Sequence, residues 1–473
     1  MKKKYDVIVI GAGSGGLNIA SFMNRVGFSV LLIDKSDKNI GGDCLNFGCV
    51  PSKALIHVSK IMHNARESKK FSDSVNVTSS KDLADLQKVF DYVKQKQKTI
   101  RIHENADYFR KKGISVELGV AKFHSKDTII INGKLFSAKK IVLATGSRPR
   151  KLDIAGVEKV NYQTNETIFD LKKLPKRLVV VGGGPIGMEL SQAFSRLGSE
   201  VHIIQRGSQF LPKEEKEIAD ILCKQFEKEG IIIHRNSIPI SFSDENKIVI
   251  EKEGKKENIS FDEILISVGR KLNIENLDLE KADIKTEKGR ILVNDYLQTT
   301  NKNVFVCGDI AGSYQFTHVA ELHASIILSN FFKPKMFWKK VSYDKLSWVT
   351  YTSPEIATFG LNKKELENRG INFQTIEQTF EDEDRAIVDE DIQGKLLLYV
   401  SKNKILGGSM ISQNAGELTQ ELILANTLNI PIQKIFSKIY PYPTASRINK
   451  KAISQEMAKK LTPFAKKLLK FMY

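Results

Sequence analysis

Twice in this 473-residue chain, about 170 positions apart, a β-branched run enters a glycine-rich turn, continues as a helical pattern and returns as a second apolar strand. The first copy reads Tyr5-Asp-Val-Ile-Val-Ile-Gly11-Ala-Gly13-Ser-Gly-Gly16, then a helical pattern over 17–26 and a strand Ser29-Val-Leu-Leu-Ile33 closed by Asp34. Asp34 lies 23 residues after Gly11, where a dinucleotide fold carries the carboxylate that accepts ribose hydroxyls. The glycines let the backbone approach a pyrophosphate seated on the helix N-terminus. The second copy reads Leu178-Val-Val-Val-Gly182-Gly-Gly184-Pro-Ile-Gly187, with a helix to about Leu197 and a strand Glu200-Val-His-Ile-Ile204. Here the position 23 after the first glycine is Gln205, and Arg206 follows. A neutral residue beside an arginine favours a 2′-phosphate over a free 2′-hydroxyl. The expectation is FAD at the first motif and NADPH, ahead of NADH, at the second. A non-binding α/β fold explains two complete motifs poorly.

Between the motifs lies Gly41-Gly-Asp-Cys44-Leu-Asn-Phe-Gly-Cys49-Val-Pro-Ser-Lys53. Four cysteines are too few to staple a chain of this length, and a close pair in a reducing compartment points to catalysis or metal binding. The lone Cys223 and Cys307 are expected to be buried small residues. In a straight helix, residues five apart rise ~7.5 Å, whereas a disulfide needs its Cα atoms within ~4.4–6.8 Å. The stretch must therefore bend where the sulfurs meet, and Gly48 permits it. Lys53, one turn after Cys49, can share its face and lower its thiolate pKa. Zinc lacks two further ligands at usable spacing, so no metal site is expected.

The cysteine segment resembles the active-site helix of the class I pyridine nucleotide–disulfide oxidoreductases, the family of dihydrolipoamide dehydrogenase, glutathione reductase and mercuric reductase. The resemblance spans nearly the whole chain. Ala144-Thr145-Gly146 resembles the strand–turn closing the first FAD segment, and Val304-Phe-Val-Cys-Gly308-Asp309 resembles the second FAD fingerprint. Ser353-Pro-Glu355-Ile-Ala-Thr-Phe-Gly360 resembles the start of the dimer-interface domain. The resemblance implies an α/β fold with two Rossmann-like dinucleotide-binding domains and a C-terminal α+β dimerisation domain. It implies that Cys49 lies against the flavin as the charge-transfer thiolate and that Cys44 is the interchange thiol. Lys53 would sit near flavin N5, paired with Glu189, and hydride would pass from NADPH to FAD and on to the disulfide. Ala121, Thr145, Gly146 and Asp309 would serve the flavin, and Gly269 joins the cofactor-binding set. A homodimer is implied as well.

The chain departs from the family near its C-terminus. Disulfide reductases carry His-Pro-Thr-x-x-Glu there, whose imidazole serves the interchange thiol across the dimer. Here the segment is Tyr440-Pro-Tyr442-Pro-Thr444-Ala-Ser-Arg447, with Tyr442 at the His position, Arg447 at the Glu position and no His after His323. A phenol with a pKa of ~10 is a poor base at neutral pH. The expected acceptor is a metal ion, a small oxidant, a quinone or an atypical disulfide, with Tyr440 and Tyr442 lining its pocket. Gly-Asp-Cys-Leu-Asn and Asn165-Glu-Thr-Ile-Phe-Asp-Leu171 look closest to mercuric reductases. Yet no cysteine follows Cys307 and no N-terminal metal-binding module is seen, so mercury detoxification is not the first expectation. Alternatives are an ordinary dihydrolipoamide dehydrogenase or mercuric reductase, or a flavin electron-transfer component docked on a membrane or partner.

Length suggests roughly three domains, and 41% apolar residues supply their cores. The expected layout is an FAD unit of 1–149 and 270–338, an NAD(P) unit of 150–269 and an interface unit of 339–473. No apolar run approaches the ~18–20 residues that span a membrane. Glycines break the Lys-rich start before it can act as a signal peptide, so the expected location is cytoplasmic. Residues 433–473 carry ten Lys/Arg and one acid, half of the net +18. That end could meet an anionic surface or reflect a lysine-rich bias; nucleic acid is not an expected partner. Over 462–473, Thr462 and Pro463 can open a helix with Lys466, Lys467 and Lys470 on one side and Phe464, Leu468, Leu469, Phe471 and Met472 on the other. Such a helix can lie weakly on a membrane or dock on the protein's own body. Residues 66–110 read as polar and mostly helical, and the acids Glu381, Asp382, Glu383 and Asp384 read as a solvated edge.

Overall fold

The computed structural model describes residues 3–71, 84–244, 246–459 and 462–473. Met1, Lys2, residues 72–83 of the polar stretch, Glu245, Lys460 of the basic end and Leu461 lie outside the described residues. The first β-branched run forms the strand Lys3–Ile10 at the centre of a seven-stranded sheet. It pairs in parallel with Val30–Asp34 on one side and Lys134–Leu143 on the other. Val7 to Ile10 are nearly inaccessible, as a parallel strand covered on both faces requires. Ser115–Leu118 extends the parallel half, Thr128–Ile131 and Lys122–Ser125 add an antiparallel edge, and Val304–Val306 returns much later to pair with Lys134–Leu143.

The second glycine motif builds a four-stranded parallel sheet in the order Ile232–His234, Glu200–Ile204, Arg177–Val181, Glu263–Ile266. A three-stranded antiparallel sheet, Ser237–Asp244, Lys247–Lys252 and Lys255–Ser260, packs its apolar side chains with three of those strands. The C-terminal part is a five-stranded antiparallel sheet that runs Ser347–Thr350, Glu355–Gly360, Lys404–Ser412, Lys395–Ser401, Gln374–Thr379. Helices Gln420–Leu428 and Arg447–Lys459 bury Leu422, Ala425, Ile448, Ala452 and Ile453 against it. Two doubly wound units and an α+β unit are the architecture the motifs imply.

Two expectations need correction. Glu383 is not solvated: it is buried, and its carboxylate accepts from the Ala386 N–H at 2.8 Å to cap the short helix Asp384–Val388. The helix Pro463–Met472 forms as its pattern predicts, but it does not dock on its own body, since every described side chain on it is exposed.

Candidate active site

One continuous cleft of about 2160 Å³ takes in both glycine turns and both cysteines. Single-ligand sites span ~300–1,000 Å³, so this one has room for two dinucleotides. Gly11, Gly13, Asp34, Ala121, Thr145, Gly146 and Asp309 line its first half, and Gly182, Gly184, Gln205, Arg206 and Gly269 its second. Gly16 and Gly187 do not line it. They lie beneath the turns, where an added Cβ would meet the Gly11 carbonyl oxygen at 2.0 Å and the Gly182 carbonyl oxygen at 2.3 Å. These are packing glycines that let helix Ser14–Arg25 and helix Pro185–Leu197 approach their strands.

The first cradle fits a dinucleotide. The Ala12 N–H donates to Asp34 Oδ2 at 2.7 Å, fixing the carboxylate at the strand end. Burial pushes its pKa up, and the Ala12 and Lys35 amides pull it back. Opposite, the Ser147 hydroxyl donates to Asp309 Oδ2 at 2.5 Å, and Arg270 Nε donates to Ser147 Oγ at 2.6 Å. Arg270 also reaches Asp43 at 3.2 Å, tying the cysteine segment to this network. Thr145 and Asn273 are joined by two hydrogen bonds, of 2.7 and 2.9 Å, locking the turn that closes the cradle.

The second cradle repeats the first with one change of chemistry. Gln205 occupies the acid's place, and its Oε1 accepts from the Gly183 N–H at 3.0 Å, as Asp34 accepts from Ala12. Its Nε2 donates to the Gln209 carbonyl at 2.9 Å, so both ends of the amide are used within the protein. Arg206 is exposed on the cleft, with no carboxylate partner among the described residues. The residues present thus fit a nicotinamide dinucleotide.

The cysteine helix breaks where its spacing demands. Helix Gly42–Asn46 ends, Gly48 adopts φ −117° and ψ −116°, and helix Cys49–Glu67 begins. Gly42 packs on the first turn, where its Cβ would stand 2.7 Å from the Gly13 Cα. The two thiols are unbridged and hydrogen-bonded to each other. That bond from Cys44, with Lys53 and against burial, pulls the Cys49 pKa down to about 6, and the same bond pushes Cys44 far up. The arrangement favours the thiolate on Cys49 and the thiol on Cys44. Thr317 Oγ1 lies 3.6 Å from Cys49 Sγ. Helix Cys49–Glu67 packs on helix Pro185–Leu197, which brings Lys53 Nζ to Glu189 Oε2 at 2.7 Å. Burial opposes the Lys53 charge, but Glu189 outweighs it and the ammonium is held. The ammonium also sits 4.5 Å above the Tyr351 ring, whose backbone N–H donates to Glu189 Oε1 at 2.9 Å.

Tyr442 is not brought to this cleft within its own chain. It is 67% exposed, with the Arg447 guanidinium 5.3 Å from its ring centre. Tyr440 is buried, and its hydroxyl donates to Glu421 Oε1 at 2.6 Å. Burial and that carboxylate push the phenol pKa up, so it stays protonated. Glu421 also binds Lys438 and Asn449, leaving no base in the segment. Cys223 and Cys307 are buried as expected, the latter under Gly15. No metal-ligating cluster occurs among the described residues. Sequence reading missed Thr317, Tyr351 and the Asp43–Arg270–Ser147–Asp309 network. Arg270 sits beside the chosen Gly269, but Thr317 reaches Cys49 and Tyr351 reaches Lys53 only through tertiary packing.

The model of the pyridine nucleotide-disulphide oxidoreductases matches residues 5–324, and that of their dimerisation domain matches 346–453. The chain belongs to this family. As a pyridine nucleotide-disulphide oxidoreductase it is a flavoprotein that uses FAD and NAD(P)H, and its dimerisation domain supports a homodimer. It is 32% identical to a mercuric reductase of Lysinibacillus sphaericus over 449 residues, 93% of this chain and 80% of that protein. It is also 32% identical to a dihydrolipoyl dehydrogenase of Buchnera aphidicola over 460 residues, 93% of each. A solved Cu(II) complex of the HOCl-induced flavoprotein disulfide reductase RclA from Escherichia coli superposes with a TM-score of 0.81 at 25% identity, covering 96% of this chain and all of that one. Among the described residues, no helix is long and apolar enough to cross a membrane.

Proposed function

We propose that this oxidoreductase takes electrons from NADPH, holds them on the Cys44–Cys49 pair and delivers them to a metal ion or small oxidant rather than to a dithiol couple. What supports the reading is the Tyr442–Arg447 contact, formed by the two residues that replace in sequence the His and Glu of the family's disulfide reductases. FAD, when bound, supplies the hydride relay between nucleotide and sulfur. Asp34, Asp309 and the first glycine turn hold it, and Gln205, Arg206 and the second turn hold the nucleotide. Cys44, with Lys53 fixed by Glu189, favours the thiolate of Cys49, and Cys44 keeps its proton. Closing the disulfide releases two electrons and a single proton, from Cys44. A thiophilic cation can displace that proton by ligating the sulfur, so such an acceptor makes no demand for a base. The metals in the names of the relatives, mercury and Cu(II), support this class.

The layout that goes with it is an FAD unit of 1–149 and 270–338, an NAD(P) unit of 150–269 and an interface unit of 339–473. In the homodimer, residues 440–447 of one subunit would face the cleft of the other, in the cytoplasm. A second reading, weak membrane contact by the tail, is favoured by the solvent-facing apolar side chains of helix Pro463–Met472. Deleting residues 462–473 should then lower the fraction of protein that sediments with liposomes.

The test is anaerobic reduction of the holoenzyme with NADPH, followed by mixing with lipoamide, glutathione disulfide, Hg(II), Cu(II) or a quinone while the flavin spectrum is recorded. Rapid reoxidation by Hg(II) or Cu(II) and slow reoxidation by both disulfides is the expected result. Rapid discharge by lipoamide or glutathione disulfide would overturn the reading.

A further inference from the structure

The segment 331–340, Phe-Phe-Lys-Pro-Lys-Met-Phe-Trp-Lys-Lys, follows helix Thr317–Phe331 and carries four lysines and no acid. It is held firmly. Trp338 Nε1 donates to the Lys333 carbonyl at 2.9 Å, and its ring packs edge-on against Tyr296 with centroids 5.6 Å apart. Asn330 clasps Lys339 twice, accepting its N–H at 2.8 Å and donating to its carbonyl at 3.0 Å. Between these anchors a single turn, Lys335–Phe337, lifts two apolar side chains into water: Met336 is 82% exposed and Phe337 61%. A built loop that points its two most apolar residues outward is not explained by packing within the chain.

The neighbouring surface continues the same character. Phe332 packs against Phe22 and Phe28 at centroid distances of 6.2 and 5.7 Å, yet half of it stays exposed. Val26, one helical turn after Phe22, is 48% exposed. Around this apolar ground stand Arg25, Lys333, Lys335 and Lys339, none with a carboxylate partner among the described residues; Lys340 alone is paired, with Asp295. The dimerisation-domain match, 346–453, leaves this patch outside it.

We propose that this patch is a docking surface for an anionic lipid bilayer. Met336 and Phe337 enter the headgroup–acyl boundary, and the lysines lay their stems along it and set their ammonium groups against lipid phosphates. Basic residues near such a surface are drawn to its anionic lipids, so the rim and the tips act together. A second copy of this chain is the poorer occupant, because a two-fold contact would set four unpaired cations against four. The surface lies in the FAD-binding part of the fold and stands independently of the tail helix Pro463–Met472.

The experiment is co-sedimentation of the full-length holoenzyme with vesicles of phosphatidylcholine alone and of phosphatidylcholine with roughly one third phosphatidylglycerol. Three proteins are compared: wild type, Met336→Ser/Phe337→Ser and Leu468→Ser/Leu469→Ser. The expected result is binding to the anionic vesicles only, reduced about tenfold by the loop substitutions, with NADPH-dependent dye reduction unchanged. Absence of binding to either vesicle would overturn the proposal, as would binding removed by the tail substitutions but untouched by those in the loop. Association beyond the dimer without vesicles, abolished by Met336→Ser/Phe337→Ser, would assign the patch to a second copy and likewise overturn it.

Discussion

Lys53 and Glu189, 136 positions apart on helices of two different nucleotide units, meet at 2.7 Å beside the reactive cysteine. The contact fixes the relative position of the cysteine helix and the second cradle, and it keeps a positive charge near Cys49. Cys49 is depressed, so its thiolate is present above about pH 6 and lost as pH falls through that value. Lys53→Met should move the midpoint of iodoacetamide alkylation at Cys49 upward, toward the ~8.5 of a free cysteine. An unmoved midpoint would leave Cys44 and Thr317 as the causes of the depression.

Restoring the missing acid–base pair tests the choice of acceptor. Tyr442→His with Arg447→Glu should raise lipoamide or glutathione disulfide reduction by ~10²-fold, the lower end of what a positioned imidazole contributes. Reduction of Cu(II) should change little. Steady-state assays of both acceptors on one preparation decide it.

Nucleotide choice should rest on Arg206. Arg206→Ala removes a charge-assisted contact of ~1.5–3 kcal/mol, so KM for NADPH should rise at least about tenfold while KM for NADH stays within about twofold. Equal effects on both nucleotides would show that Arg206 reads something other than the 2′-phosphate.

Gly16, which packs beneath the first turn, should behave unlike Gly184, which faces open space in the cleft. In Gly16→Ala the new methyl meets a carbonyl oxygen at 2.0 Å and backbone must shift, so the purified protein should carry little FAD. The flavin-to-protein absorbance ratio measures this. Gly184→Ala meets nothing within 4 Å and should fold with full flavin content.

Much of this was legible in the sequence because strand, turn and helix sit at fixed offsets. Asp34 and Gln205 could be placed by counting from a glycine, and the bend at Gly48 followed from the reach of two sulfurs. The remainder depends on meetings between distant segments. Thr317 reaches Cys49 from 268 positions away, and no local pattern announces such a contact. Glu383 misleads for a related reason: a carboxylate among acids reads as solvated, but here one of four turns inward to cap a helix. The tail helix was readable as a helix, while its lack of a partner within the chain was not.

Stability should fall in acid through one buried pair. Arg196 holds Glu229 at 2.8 Å, both nearly inaccessible. Burial alone would raise the Glu229 pKa, but Arg196 outweighs it and the net shift is downward. The pair therefore stabilises the fold fully above the unfolded-state value of ~4.3 and loses that contribution as pH falls through the lower folded value. Glu229→Gln should cost ~3 kcal/mol at pH 7 and flatten this acid dependence, as read by urea unfolding at several pH values.

Val304 pairs with Ile141, strands that neighbour in space but are separated in the chain by the whole second nucleotide unit. The ribosome therefore completes the inserted unit before it makes the strand that finishes the first sheet, and Asp309, on the turn after that strand, emerges later still. A nascent chain can present Asp34 and its glycine turn early, yet its first cradle stays open on one side until some 300 residues are made. Loop closure of this length slows folding. Flavin capture is thus a late event in the life of each molecule, and a shortage of the cofactor would be felt as chains that have folded one nucleotide unit and wait to close the other.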